Sequence, residues 1–219
     1  MRNFDNNGVS VNCAVLHPNQ GEIIFGDQSG RVRKWDLTKN AAKELYTDDE
    51  ETPIRAVAIS RNSKKLVAGT NNGICFIWTS EDGENFEPLQ ELIAHEGQYI
   101  LRCQFSHDAR YLATCSSDKT CAVWEISEQV IVGDGEEENQ EESKAEANEV
   151  FEEYIQNSVL SGHGGWVWDC DFTQDSNYII TVSTDQKVRI WKTGKDEICK
   201  KILAGHTKGI TCLAFRDSS

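Results

Sequence analysis

The residue types that could do chemistry in this 219-residue chain are its histidines, serines, aspartates and eight cysteines, and their spacing limits what each can do. His95-Glu96 opens like the metal-binding H-E-x-x-H motif, but position 99 is Tyr, so the second imidazole ligand is missing. Gly162-His163-Gly164-Gly165 is glycine-rich yet lacks the Lys-Ser/Thr of a phosphate-cradling loop, and reads as a turn. Neither Ser116 nor Ser183 stands in the G-x-S-x-G elbow of an esterase nucleophile. No cysteines form C-x-x-C and no spacing matches zinc ligation. They read as small buried apolar residues in a reducing compartment, which points to the cytoplasm. The sequence therefore nominates no catalytic residue, metal, cofactor or small-molecule substrate.

Asp and Glu number 36 against 22 Lys and Arg, a net charge of −14, and that balance argues against a basic nucleic-acid surface. The charge is uneven. Residues 128–153 hold eleven acids and one base, leaving only −4 for the other 193 residues. Like charges this dense repel, so the stretch reads as a solvated, disordered insert with a transient helix around 141–153. The functional alternatives to that reading are a docking site for a basic partner or a spacer. No window approaches 18 consecutive apolar residues, so no membrane span is expected, and the first seven residues lack a signal peptide's apolar run.

The elements that must position these residues come in repeats. Trp35, Trp78, Trp124 and Trp191 each follow the start of an apolar run by 24 residues, the runs opening at Val11, Ile54, Ile100 and Val167. Successive starts lie 43, 46 and 67 residues apart, the last gap widened by the acidic insert. Turn signals such as Asn19-Gln20-Gly21, Asn72-Gly73 and Ser117-Asp118-Lys119 separate runs rich in Val, Ile, Tyr and Cys. Fourth runs follow each Trp at 43–46, 89–93, 155–160 and 198–203. Units of this length with four antiparallel strands predict an all-β propeller. Its four full blades span 11–46, 54–93, 100–160 and 167–203, and 210–215 is the first strand of a fifth.

The third unit carries Ala94-His95, Ser116, Asp118 and Trp124; the fourth carries Gly162-His163, Ser183, Asp185 and Trp191. In this the chain resembles the WD-repeat family. The resemblance implies a hydrogen-bonded chain in each blade from Trp through Ser/Thr and His to Asp, a structural rather than catalytic role. The first two units are degenerate, with Ser29 and Asn72 at the Asp position, and of the four unit-ending tryptophans only Trp35 is followed by Asp, at Trp35-Asp36. Further runs carry a closer likeness. His17-Pro18-Asn19-Gln20-Gly21-Glu22, Gly26-Asp27-Gln28-Ser29-Gly30, Leu112-Ala113-Thr114-Cys115-Ser116, Trp166-Val167-Trp168 and Cys212-Leu213-Ala214-Phe215 are similar to the Lst-eight family, the small WD-repeat subunits of TOR (target of rapamycin) kinase complexes. The family's ring has about seven blades, so this chain is expected to be an N-terminally truncated product, gene model or isoform.

Residues just before each inner strand, namely Ser10, Pro53, Tyr99, Trp166 and Gly209, should lie on one face. Tyr99 and Trp166 are the large aromatics among them and suit an interface anchor. Trp168 should point to the same side as Trp166, or else pack between blades. Asn71, Ser117 and Thr184 should line the same face. The Lst-eight resemblance implies a non-catalytic scaffold that docks on the C-terminal lobe of the TOR kinase domain in both TOR complexes, with roles in growth control and cytoskeletal signalling. Trp166, Trp168 and Tyr99 are the expected contacts. The competing readings are a generic WD-repeat adaptor, such as a ubiquitin-ligase substrate receptor, and a nonfunctional fragment.

Overall fold

A computed structural model of the chain describes residues 8–39, 41–47, 51–131, 149–195 and 198–215. Strands β1 (Val11–Leu16), β2 (Glu22–Asp27), β3 (Arg31–Asp36) and β4 (Ala41–Thr47) pair in chain order as one antiparallel sheet. The second sheet is β5 (Ile54–Ile59), β6 (Lys65–Thr70), β7 (Ile74–Thr79) and β8 (Glu87–Ile93). The third is β9 (Ile100–Phe105), β10 (Tyr111–Ser116), β11 (Cys121–Ile131) and β12 (Glu149–Leu160); the fourth is β13 (Val167–Phe172), β14 (Tyr178–Ser183), β15 (Lys187–Lys192) and β16 (Cys199–Ala204). Four meander sheets without a helix among the described residues are the blades of an incomplete propeller, in agreement with the all-β reading.

The repeat is visible in the backbone. Gln20, Ser63, Ala109 and Ser176 occupy the same position of the first turn in each blade, and all take a left-handed φ between 56° and 61°. The second turn puts Gly30 and Gly73 in that region in the first two blades, and Lys119 and Gln186 in the last two. Gly73 is obligatory on a second count, since a Cβ there would sit 1.6 Å from the His95 carbonyl oxygen.

The core lies between blades, because each sheet offers an apolar face to its neighbour. Ile24 and Val32 of the first blade meet Ile54, Leu66 and Trp78 of the second. Val67 and Ile77 meet Ile100, Leu112 and Trp124 of the third; Ala113 and Val123 meet Val167, Phe172 and Trp191 of the fourth. Each Val, Leu, Ile or Phe among them contributes about 1.5–3 kcal/mol by leaving water. Strand β6 is buried at all six positions, the mark of a sheet covered on both faces.

Two sequence expectations are corrected. The stretch 128–153 is not a loop throughout. Glu128–Ile131 pair in register with Glu149–Glu152, lengthening β11 and β12 beyond the blade body. The ladder continues because its bonds run between backbone amides and carbonyls, which carry the same groups whatever the side chains are. Residues 132–148 lie outside the described residues, as does most of the expected helix. Second, 210–215 forms no strand. It is held beside β13 by the Leu213 amide, which donates to Asp169 Oδ2 at 2.8 Å, and by the Ile210 amide to the Ser183 carbonyl at 3.0 Å. No neighbouring strand among the described residues offers it a ladder.

Candidate partner-binding face

Every inner strand carries a bulge near its start. It falls between Val11 and Cys13, Ile54 and Ala56, Ile100 and Arg102, and Val167 and Asp169. The extra residues are Asn12, Arg55, Leu101 and Trp168, and a bulge re-aims the side chain it carries. In three blades that side chain bonds to the residue just after the second strand. Asn12 Nδ2 donates to Gln28 Oε1 at 3.2 Å, Arg55 Nε to Asn71 Oδ1 at 2.8 Å, and Trp168 Nε1 to Thr184 Oγ1 at 2.9 Å. Leu101 has no donor, and Ser117 Oγ instead accepts from the Tyr99 amide at 3.0 Å.

These bonds assemble an aromatic group over the third and fourth blades. Tyr99 stands edge-on to Trp166, ring centres 6.2 Å apart at 87°, and Trp166 leans on Trp168 at 5.5 Å. Tyr99 is 45% and Trp166 41% exposed, while Trp168 is half-buried. The backbone beneath is tied down: the Thr184 amide donates to the Trp166 carbonyl and the Ser117 amide to the Tyr99 carbonyl, both at 3.0 Å. Gly209 packs on Thr184, where a Cβ would lie 3.1 Å from Thr184 Cα. The structure thus brings Tyr99, Trp166, Trp168, Ser117 and Thr184 together. Asn71 is held separately in its own blade by Arg55 and by its amide bond to the Pro53 carbonyl at 3.1 Å. Sequence alternation placed Trp168 beside Trp166 without the bulge; the bulge makes Trp168 a buttress whose indole N–H is engaged.

Directly below run two buried polar chains. Trp124 Nε1 donates to Thr114 Oγ1 at 3.2 Å, the Thr114 hydroxyl lies 2.9 Å from His95 Nε2, and His95 Nδ1 lies 2.7 Å from Asp118 Oδ2. The fourth blade repeats this with Trp191 to Thr181 at 2.8 Å, Thr181 to His163 at 2.8 Å and His163 to Asp185 at 3.0 Å. An ionised carboxylate only accepts, so Nδ1 carries the proton and Nε2 accepts from the threonine. Each donor is then used once. Burial pushes the Asp185 carboxyl up, but the Gly164 amide and His163 outweigh it and hold it below the usual carboxylate value. Asp118 is likewise held low, burial being overcome by His95 and Thr120. Burial holds the His163 imidazole below its ordinary 6.5.

The hydroxyl in each chain corrects the sequence reading, which named Ser116 and Ser183. Those oxygens accept instead from the Asp118 and Asp185 amides at 3.1 Å and shape the second turn. The reason is register. Leu112 faces Trp124 and Thr114 faces Ala122, so Thr114 lies one diagonal step from the indole, whereas Ser116 lies beyond reach. Period-2 alternation was the available signal, since Thr114 and Ser116 share a face.

The cysteines are free and mostly buried, but not uniformly so: Cys13 and Cys199 are half-buried and Cys212 is exposed. Burial pushes the Cys13 thiol up to about 12. Cys115, Cys121 and Cys170 bring their sulfurs within 4.8 Å of one another between the third and fourth blades. This trio fills the place where, one and two blades earlier, Gly69 and Gly26 admit Ile100 and Ile54 of the next inner strand.

Repeated four-stranded blades with a Trp–Thr–His–Asp chain define a WD-repeat propeller. Residues 43–79, 86–125, 155–192 and 197–219 match the WD domain, G-beta repeat, and the chain belongs to that family. Its relatives narrow this further. It is 34% identical over 218 residues to the target of rapamycin complex subunit LST8 of Bos taurus, covering 95% of this chain and 59% of the relative. It is 39% identical over 126 residues to the target of rapamycin complex subunit wat1 of Schizosaccharomyces pombe, covering 56% and 40%. A third relative, 36% identical over 170 residues and covered 75% and 46%, bears the name non-functional target of rapamycin complex subunit LST8-2, from Arabidopsis thaliana. These relatives bear out the Lst-eight resemblance. The chain spans 40–59% of their lengths.

Proposed function

We propose that the chain is a non-catalytic scaffold subunit of TOR kinase complexes, docking through Tyr99, Trp166 and Trp168 on the C-terminal lobe of the kinase domain. The observation that carries this reading is the exposed aromatic group, fixed by hydrogen bonds on a chain that is 34% identical to LST8 over 218 residues. Rigid aromatics desolvate much area at little entropic cost, and a preorganised pair suits a hot spot. The scaffold adds no chemistry to the kinase; it stabilises the catalytic domain and shapes substrate access. On this reading it acts in the cytoplasm, in both TOR complexes, and serves growth control and cytoskeletal organisation.

Affinity purification of the tagged chain with mass spectrometry tests the proposal. The TOR kinase and its complex subunits should dominate the recovered proteins. Recovery of cullin-type ligase components without the kinase would instead establish the generic adaptor.

A further inference from the structure

A recess lies at the strand ends opposite the aromatic face, between the first and second blades. Turns of antiparallel meanders alternate ends, so the β1–β2, β5–β6 and β7–β8 turns meet away from the aromatic face. They border an open recess of about 290 Å³ lined by His17, Asn19, Lys64, Glu81, Asp82 and Glu84 among others. Glu81 and Asp82 also border a neighbouring recess of about 620 Å³ that Asn85 and Glu87 complete.

Two independent observations point to a ligand. The first is His17, only 2% exposed, whose Nε2 has no hydrogen-bond partner. Its Nδ1 accepts from the Asn19 amide at 3.2 Å, so the neutral ring carries its proton on Nε2, a buried donor without an acceptor. The equivalent position is Ser60, Ser106 and Thr173 in the other blades, where the hydroxyl is fully used within its own turn. The imidazole is held edge-on to Phe86 at 6.2 Å.

The second is charge. Among the described residues nothing pairs with the side chains of Glu81, Glu84 and Glu87. Lys34 is already engaged by Glu22 at 2.8 Å and by the Glu84 carbonyl at 2.8 Å. Asp82 accepts from Ser80, Glu84 and Asn85, which fixes the loop while keeping its negative charge. Lys64 is the one cation of the lining, outnumbered by Glu81, Asp82 and Glu84.

A buried N–H donor asks for an oxygen acceptor, and the acidic walls repel an anionic one. A peptide carbonyl flanked by a cationic side chain satisfies both. We propose that this recess docks an arginine-bearing peptide segment, with a backbone carbonyl on His17 Nε2 and the guanidinium on Glu81 and Glu84. Arginine suits paired carboxylates because its donors lie in a planar fork.

The test is fluorescence anisotropy of the full 219-residue chain with a labelled, end-capped heptapeptide of Gly and Ser containing two Arg. Saturable binding is expected, weakened about tenfold by E81Q/E84Q and about threefold by His17→Phe, which keeps a ring against Phe86. Both glutamates are exposed, so E81Q/E84Q folds whatever becomes of the His17 variant. Replacing Glu136, Glu137, Glu138, Glu141 and Glu142 by Gln should leave the affinity unchanged. Absence of binding, equal binding of the peptide with Glu for Arg, or affinity that follows the acidic stretch rather than Glu81 and Glu84 would overturn the assignment.

Discussion

The first two blades and the last two hold their Trp in different ways. In the third and fourth, threonines (Thr114, Thr181) receive the indole N–H and pass the bond to His and Asp. At the matching positions the first and second blades carry Phe25 and Ala68, both buried and apolar. There the second-blade Trp78 is enclosed by rings, with Tyr46 edge-on at 5.8 Å and Phe76 at 6.4 Å. Apolar packing supplies burial energy but little direction, whereas a satisfied polar chain fixes one register. The consequence reaches the surface. Asp118 and Asp185 adjoin Ser117 and Thr184, the residues that hold Tyr99 and Trp168. The polar chains thus preorganise the aromatic face, and the blades without them present Gln28 and Asn71 instead.

The comparison can be broken most forcefully at the tryptophans. Trp191→Ala and Trp78→Ala should each cost about 3–5 kcal/mol in urea unfolding, since both indoles are buried. Phenylalanine separates them. Trp191→Phe leaves the Thr181 hydroxyl without its indole donor and should cost about 1–3 kcal/mol more than Trp78→Phe. Equal costs would mean that the polar chain adds nothing. Next in size, Thr114→Val should destabilise by about 1–3 kcal/mol by stranding the Trp124 N–H and His95 Nε2. Ser116→Ala, which loses only a turn bond, should cost about 0.5–1.5 kcal/mol; the reverse order would restore the serine to the network.

The smallest effect is a pH dependence. Burial lowers the His163 pKa below 6.5, so the unfolded chain takes up the proton first. Stability should be level above about 6.5 and fall as pH drops toward the folded value, by at most about 1.4 kcal/mol per unit. Asp118 and Asp185 are lowered too, and their contribution is present above 3.8 and lost only at stronger acidity. Thermal melts from pH 8 to 5 should show the decline, and His163→Gln should flatten it. A melting temperature that rises on acidification would contradict the neutral His163.

The blade count and the Trp positions were legible because a turn every few residues and a 24-residue interval are properties of local sequence. Tyr99 and Trp166 were legible for the same reason, as positions just before a strand. Thr114 and Thr181 were not, because Ser116 and Thr114 share a face and only cross-strand register tells which one meets the indole. The bulge at Trp168 was hidden likewise, since an extra residue on one strand shows only against its partner. The pairing of Glu128–Ile131 with Glu149–Glu152 ran against charge density, which describes solvation and not backbone bonding. His17 entered only within a run similar to the Lst-eight family; its unused Nε2 and its contact with Phe86, on a loop distant in sequence, show only in the folded chain.

Calorimetric titration of the purified chain with the TOR kinase domain tests the proposed docking on the aromatic face most directly, comparing the parent with Trp166→Ala. Trp166 is 41% exposed and bears no load in the core, so the variant should melt where the parent does while losing about 2 kcal/mol or more of binding, the range of an aromatic anchor. Unchanged affinity in a variant that melts normally would place the kinase contact elsewhere on the propeller.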